Sequence, residues 1–319
     1  MAPVTHALLL TAGLGTRLRP LTLVRAKPAL PVAGEPMVRR IIRWLARSGV
    51  SDVVLNLHHL PETITAIVGD GSDLGVRARY SWEQPQVLGT AGGPRRALDI
   101  VGADRFLIVN GDTLTDLDLL PLIDAHATSG ALVTMAVVPN TRPGRYSGLR
   151  VDEGCRVTGV EPKGSATPSW HFVGVQVAER DAFEELPGDQ VLNSVGGTYA
   201  GLNERTPGAV RVFECSARFW DIGTVADYWH TCHTFAAPGT ESPVADESAR
   251  LHDCVVWDDV EVGAKATLER CIVTDGVRVP AGAAFRDSVL MRDTAGAIAV
   301  TPMNLDIEDR RGAAWNEHG

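Results

Sequence analysis

The residues with the clearest chemical content come early in the chain. Thr11-Ala12-Gly13-Leu14-Gly15-Thr16-Arg17-Leu18-Arg19-Pro20-Leu21-Thr22 is followed by Lys27-Pro28-Ala29-Leu30-Pro31-Val32. Glycines let backbone amides come close to an anion, and successive amides can cradle one. Arg17 adds a planar donor fork and Lys27 a compact point charge. Phosphate is the ligand such a loop would suit. Two familiar phosphate loops do not fit. A dinucleotide fingerprint needs a third glycine where position 18 is Leu, and it would leave Arg17 and Lys27 without a task. The GxxxxGK[ST] pattern is absent. By itself, the Gly-x-Gly stretch reads equally as a structural turn with solvated cations.

Two aspartates could complement the cations. Phe106-Leu107-Ile108-Val109-Asn110-Gly111-Asp112 is an apolar run ending in a carboxylate, and Asp221 follows Phe219-Trp220 just before a helical pattern. Ligand crevices in open parallel sheets lie at the carboxyl ends of strands. Magnesium prefers one or two carboxylates plus phosphate oxygens and water. Each aspartate alone is also explained as a cap or turn residue.

The elements that must position these residues follow from periodicity. Ala7 to Thr11, Asp52 to Leu57, Val76 to Trp82, Arg105 to Val109 and Ala131 to Val138 read as strands. Pro36 opens a helix carrying Met37, Val38, Ile41, Ile42 and Leu45 at spacings of three and four, and Gly49 ends it. Pro61 opens another, a third runs near Leu117 to Thr128, and Thr224 can cap a last one through His233. Strands alternating with helices imply an α/β domain with a mostly parallel, Rossmann-like sheet. Leu149 to Val177 is strand-rich, as an inserted or edge layer would be.

After a Pro- and Gly-containing linker around Pro238, Gly239 and Pro243, the pattern changes. A shift of 17 residues superposes Leu251, Leu268 and Phe285; Val255, Ile272 and Val289; Ala249, Ala266 and Ala283; and Cys254 with Cys271. This is the hexapeptide β-helix pattern shortened by one residue per coil, with small residues expected at the corners. The expected domains are therefore residues 1–238, a β-helix of about three coils over 244–292, and a tail over 293–319.

The whole early string resembles the signature of the sugar-1-phosphate nucleotidyltransferase family, AGxGTRLxPLT…KPxxPV, and matches it from Ala12 through Val32 without a gap. The resemblance implies a nucleotidyltransferase domain, and the hexapeptide pattern after it reads as a left-handed β-helix. It implies that Leu10, Ala12, Gly13, Gly15, Thr16 and Gly111 line the nucleotide, that Arg17 meets the departing pyrophosphate, and that Lys27 meets the phosphates at the reacting centre. Asn-Gly-Asp and Trp-Asp-x-Gly-Thr are the family's metal segments, so Asp112 and Asp221 are the implied ligands of Mg2+. Leu88-Gly89-Thr90-Ala91-Gly92 is similar to the base loop of mannose-1-phosphate guanylyltransferases, which favours GTP. Gln84, five residues before Gly89, and Asn56-Leu57-His58-His59 resemble the thymidylyl- and uridylyltransferase branches, among them the N-acetylmuramic acid 1-phosphate enzymes, so UTP and dTTP stay open. Asn110, Gly148, Glu161 and Lys163 are the implied sugar-phosphate contacts, although Glu161-Pro162-Lys163 reverses the family's Glu-Lys-Pro order. The implied reaction joins an NTP to a sugar 1-phosphate and releases pyrophosphate. A catalytically silent regulatory subunit is the alternative class.

Bulk properties agree. Net charge is −9 and the basic residues form no runs, which argues against a nucleic-acid partner. Five scattered cysteines without a CxxC pair suit a reducing compartment and make a zinc site unexpected. No run of about 20 apolar residues predicts a membrane span, and no basic leader precedes the first strand. A cytoplasmic homo-oligomer, by default a dimer, is the expectation. An acyltransferase is disfavoured because three short coils leave little room for its site.

Overall fold

The computed structural model describes residues 4–236 and 244–305. The linker positions Pro238, Gly239 and Pro243, and the tail beyond residue 305, lie outside the described residues. Chain contacts divide the protein into two units. One holds residues up to Leu14, Lys27–Ala29 and Met37–Asp221; the other holds Gly15–Ala26, Leu30–Pro36 and residues from Ile222 onward.

In the first unit, β1 (His6–Leu10) buries Ala7, Leu8 and Leu9 completely, as a strand covered on both faces requires. Helix α1 (Met37–Arg47) buries its apolar stripe of Met37, Val38, Ile41, Ile42 and Leu45. There follow β2 (Asp52–Leu57), α2 (Pro61–Val68), β3 (Arg77–Trp82), α3 (Gly89–Val101), β4 (Arg105–Asn110), β5 (Thr113–Thr115) and α4 (Leu119–Ser129). Next come β6 (Val133–Pro139), β7 (Gly148–Val151), β8 (Val157–Glu161), β9 (Trp170–Glu179), α5 (Tyr199–Arg205), β10 (Val210–Glu214) and β11 (Phe219–Asp221).

The nine-stranded sheet runs β8-β7-β9-β4-β1-β2-β3, with β6 beside β9 and β10 beside β6. It is mixed. β1 is parallel to β2 and β4, β2 to β3, and β10 to β6. β9 is antiparallel to β4 and β6, and β7 to β8. The parallel part is built from helical crossovers, as the alternating pattern implies. The strand-rich stretch does more than line an edge: it reaches β9 through β7 and β8 without a crossover helix, so β9 enters the middle of the sheet reversed. Leu8, Val54, Leu98, Phe106, Ile108, Met135 and Val137 form part of the core between sheet and helices.

In the second unit, α6 (Val225–Phe235) begins with a reciprocal cap. The Thr224 hydroxyl accepts from the Asp227 amide, and the Asp227 carboxylate accepts from the Thr224 amide. Such a cap contributes about 1 kcal/mol. Residues from Val244 to Arg292 form a three-sided parallel β-helix whose partners are offset by 17 residues: Leu251, Leu268 and Phe285 on one side, and Val255, Ile272 and Val289 on another. Val260, Val262, Ala266, Leu268, Cys271, Val273, Val277, Val279 and Leu290 fill its interior. The corners are only in part the expected small residues, Gly276 and Gly282 among them. They adopt left-handed backbone at Asp253, Arg270 and Asp287, at Asp259 and Gly276, and at Lys265 and Gly282, again 17 apart. Within the first set Arg270 and Asp287 pair, Arg270 Nε donating to Asp287 Oδ1 at 2.6 Å. Ile298–Pro302 folds back antiparallel on Ser288–Arg292, so the start of the tail covers a strand edge. No helix among the described residues is long and apolar enough to cross a membrane.

Where β9 and β11 approach the turn before β7, His171 forms a triangle of rings with Tyr146 and Phe219: its centroid lies 4.1 and 4.8 Å from theirs, and theirs are 6.1 Å apart. Burial, with the nearby Arg145 charge second, pushes its pKa from 6.5 down to about 4. The unfolded chain therefore binds a proton here that the folded one does not. The stabilising contribution is full above about 6.5 and is lost as pH falls to about 4, by roughly 3 kcal/mol at most. Urea denaturation across this range is expected to show a steeper pH slope for the natural protein than for His171→Phe; equal slopes would contradict the assignment.

Candidate active site

The carboxyl ends of three adjacent parallel strands converge, since Leu10 pairs with both Asn56 and Asn110. A cavity of about 200 Å³ lies there, lined by Leu10, Thr11, Ala12, Gly13, Lys27, Pro28, Asn56, Val87, Gly89, Thr90, Asn110 and Asp112. Eight of the residues singled out from the sequence are thus gathered around one hollow: Leu10, Ala12, Gly13, Lys27, Gly89, Thr90, Asn110 and Asp112. Gly111 sits beneath it, its amide donating to the Leu10 carbonyl at 3.0 Å.

Lys27 is only 9% exposed. An ammonium so placed needs a partner, and Lys27 Nζ donates to Asp112 Oδ2 at 2.6 Å. β5 pairs with β11 so that Asp221 lies opposite Thr113, the residue after Asp112. The ladder therefore brings the two expected carboxylates to neighbouring positions on adjacent strands.

The loop walls are held by a buried network that sequence reading did not assign. Asn56 Oδ1 accepts from the Thr11 amide at 2.5 Å and from the Ala12 amide at 3.3 Å. Asn56 Nδ2 donates to Glu83 Oε1 at 2.7 Å, and Glu83 Oε2 accepts from the Leu88 amide, also at 2.7 Å. Glu83 is wholly buried. It ties the ends of β1, β2 and β3 to the start of α3. Gly93 exists for this network, because a Cβ there would collide with the Glu83 carboxylate. From the other side, Ser194 donates through its amide and hydroxyl to Thr90 Oγ1, both at 2.9 Å, and Leu192 O accepts from the Ala91 amide. Gln84 points the opposite way from Glu83, is exposed, and is not among the cavity's lining residues.

On the sugar-facing candidates, Glu161 pairs with Gly148 across the β7–β8 ladder. Its carboxylate accepts from Ser165 Oγ at 2.7 Å and Arg150 at 2.8 Å, and these two hold its pKa below the usual range. Lys163 is exposed in the turn after β8. Asn110 packs under Gly174 of β9, where a Cβ would lie 3.0 Å from its amide nitrogen and φ is +83°. Glycine is required at that point.

Gly15, Thr16 and Arg17 belong to the second unit. Gly15 O accepts from Thr22 Oγ1 at 2.9 Å, and Thr16–Leu18 forms a 3-10 turn. The Arg17 guanidinium lies over Gly223, where a Cβ would stand 3.3 Å from it and 3.4 Å from the Asp227 carboxylate.

Residues 6–237 match the family model described as nucleotidyl transferase, and residues 240–290 match a GlmU-like, C-terminal hexapeptide model. The chain is 32% identical over 225 residues to the mannose-1-phosphate guanylyltransferase of Mycobacterium tuberculosis, covering 70% of this chain and 62% of that one. It is 45% identical over 112 residues to the N-acetylmuramate alpha-1-phosphate uridylyltransferase of Neisseria meningitidis, covering 35% and 48%. The chain thus spans less than two thirds of the length of these relatives. The crystal structure of HddC from Yersinia pseudotuberculosis complexed with GMP-PN superposes with a TM-score of 0.62 at 25% identity, covering 72% of this chain and 98% of that one. The strand-end cavity, the signature loop and the family match over residues 6–237 lead to one conclusion: the chain belongs to the nucleotidyl transferase family.

Proposed function

We propose that the chain is a sugar-1-phosphate nucleotidyltransferase that transfers a nucleotidyl group from an NTP to a sugar 1-phosphate and releases pyrophosphate. The observation that carries this reading is the buried Lys27 ammonium paired with Asp112 at the strand-end cavity, with Asp221 on the adjoining strand. A sugar phosphate is already an anion near neutral pH and needs no general base. One of its oxygens forms a bond to the α-phosphorus while the bond to the departing pyrophosphate breaks. The protein must therefore gather like-charged groups and offset charge as it moves onto the leaving group. Ala12, Gly13 and the loop Gly89–Thr90 would seat the nucleotide. Lys27 would leave Asp112 for a phosphate oxygen, and Arg17 would meet the leaving group. Asn110, Gly148, Glu161 and Lys163 would face the sugar phosphate, with Glu161 already ionised and oriented by Arg150 and Ser165.

The donor set suits a magnesium ion. Asp112 and Asp221 are two carboxylates at neighbouring positions, and no group of three or more His, Cys, Asp or Glu that could cage a metal occurs among the described residues. That is the pattern of an ion shared between one or two carboxylates and substrate phosphates. When bound, it would neutralise phosphate charge and fix its geometry.

GTP is the proposed nucleotide and mannose 1-phosphate the first sugar to try. The support is the Leu-Gly-Thr-Ala-Gly loop around the cavity, the Mycobacterium tuberculosis relative and the GMP-PN complex of HddC. UTP is the second reading, favoured by the 45% identity to the Neisseria meningitidis enzyme.

Pyrophosphate release across a grid of NTPs and sugar 1-phosphates is expected to be fastest with GTP and mannose 1-phosphate; a preference for UTP would move the assignment to the second reading, and no release with any pair would reject the activity. Lys27→Ala or Arg17→Ala is expected to cost on the order of 10² or more in kcat, and a loss under tenfold in a folded variant would remove that residue from the reacting centre. Asp112→Asn is expected to raise the magnesium concentration needed for half-maximal turnover, whereas an unchanged titration would exclude it as a ligand.

A further inference from the structure

The signature loop holds Arg17, yet its firmest attachment lies at a residue outside the family pattern. Arg25 is only 14% exposed in its side chain. Its Nε donates to Asp275 Oδ2 and its terminal nitrogen to Asp275 Oδ1, both at 2.7 Å, a two-pronged contact. The same terminal nitrogen reaches Asp258 Oδ2. Asp258 and Asp275 are 17 residues apart, so they are equivalent positions on successive β-helix coils. The guanidinium also lies 5.4 Å from the centroid of Trp257. Trp257 Nε1 donates to the Tyr228 hydroxyl at 2.8 Å, and that hydroxyl donates to Pro31 O. The β-helix therefore grips the chain at Arg25 and, through Tyr228, at Pro31; Lys27 lies between those two points in sequence.

The grip can reach Arg17 because the loop is tightly bonded within itself. The Arg25 amide donates to Leu21 O at 3.3 Å, the Leu18 amide to Gly15 O at 2.9 Å, and Thr22 Oγ1 also to Gly15 O. Leu18 and Leu21 are almost wholly buried. A segment with such internal bonds moves as one piece, so its anchor sets where its cation points.

We infer that Arg25 is a positioning residue: the paired carboxylates of two β-helix coils hold the signature loop through it and thereby set where Arg17 points. This rests on the proposed nucleotidyl transfer for its kinetic consequence, but not for the clamp itself.

The test uses the full chain. Arg25→Ala and Asp275→Asn are each expected to lower kcat by about tenfold or more, as misplacement of a reacting group does, with KM changed less than threefold. The double variant is expected to be no slower than the worse single one. Arg25→Lys keeps the charge but not the fork and is expected to restore only part of the rate. Hydrogen exchange at the Leu18, Val24 and Arg25 amides is expected to quicken, while β-helix amides such as Thr267 and Val255 stay protected. If Arg25→Ala does not fold, Asp258→Asn, at a more exposed carboxylate, provides the milder variant, with the same quickening in the loop expected. Unchanged kcat and unchanged loop exchange in folded variants, even with a lower Tm, would overturn the inference. If Lys27→Ala is inactive while Arg25→Ala changes neither kcat nor loop exchange, the clamp role falls and the transferase reading stands. If the natural protein releases no pyrophosphate, the transferase reading falls, and loop exchange alone decides the clamp: faster exchange supports it and unchanged exchange rejects it.

Discussion

A lysine ammonium nine-tenths removed from water must be paired, and its partner here is a carboxylate at the end of a buried strand. The Lys27–Asp112 contact at 2.6 Å fixes much else. It requires β4 to end at the mouth of the cavity and Pro28 to line the wall beside it. It places a cation and an anion where two phosphorylated substrates and a metal could each claim one of them. Replacing an ion pair by two new ones changes little in net charge, which lets ligands enter without leaving either group buried and alone.

The surrounding walls obey the same rule. Glu83 is buried without a cation, so its oxygens are spent on the Asn56 amide and the Leu88 amide at the start of α3. Asn56 in turn uses its oxygen on the amides of Thr11 and Ala12. Loops that arise from three different strands are thereby made into one rigid surface. Preorganised surfaces of this kind lower the reorganisation needed during reaction.

Much of this was legible from the amino acids. The apolar run of β1, the amphipathic spacing of α1 and the 17-residue recurrence are read directly from hydrophobic patterning, and the stacked pairs Leu251–Leu268–Phe285 occur in the expected register. The signature string led to Lys27, and the Asn-Gly-Asp segment to Asp112. The missed features are ones that depend on parity and distance. Ser81, Glu83 and Gly93 share the inward side near β3 and α3, whereas Trp82 and Gln84 face out; strict alternation along β3 would have assigned Glu83 to the interior. Ser194 could not be found, because it meets Thr90 from 104 residues away in sequence. The antiparallel course of β9 depends on connections rather than composition. The β-helix corners escaped in part because Asp253, Asp259 and Asp287, like Gly276 and Gly282, adopt the left-handed turn, which Asp tolerates better than most residues.

The central claim is that the Lys27–Asp112 pair opens to receive phosphates. The most direct measurement is a crystal structure with a non-hydrolysable NTP, a sugar 1-phosphate and magnesium. The account predicts phosphate oxygens within hydrogen-bond distance of Lys27 Nζ and a metal ion held by Asp112 and Asp221. A nucleotide bound elsewhere, or one bound at saturation with the Lys27–Asp112 contact still closed, would contradict it.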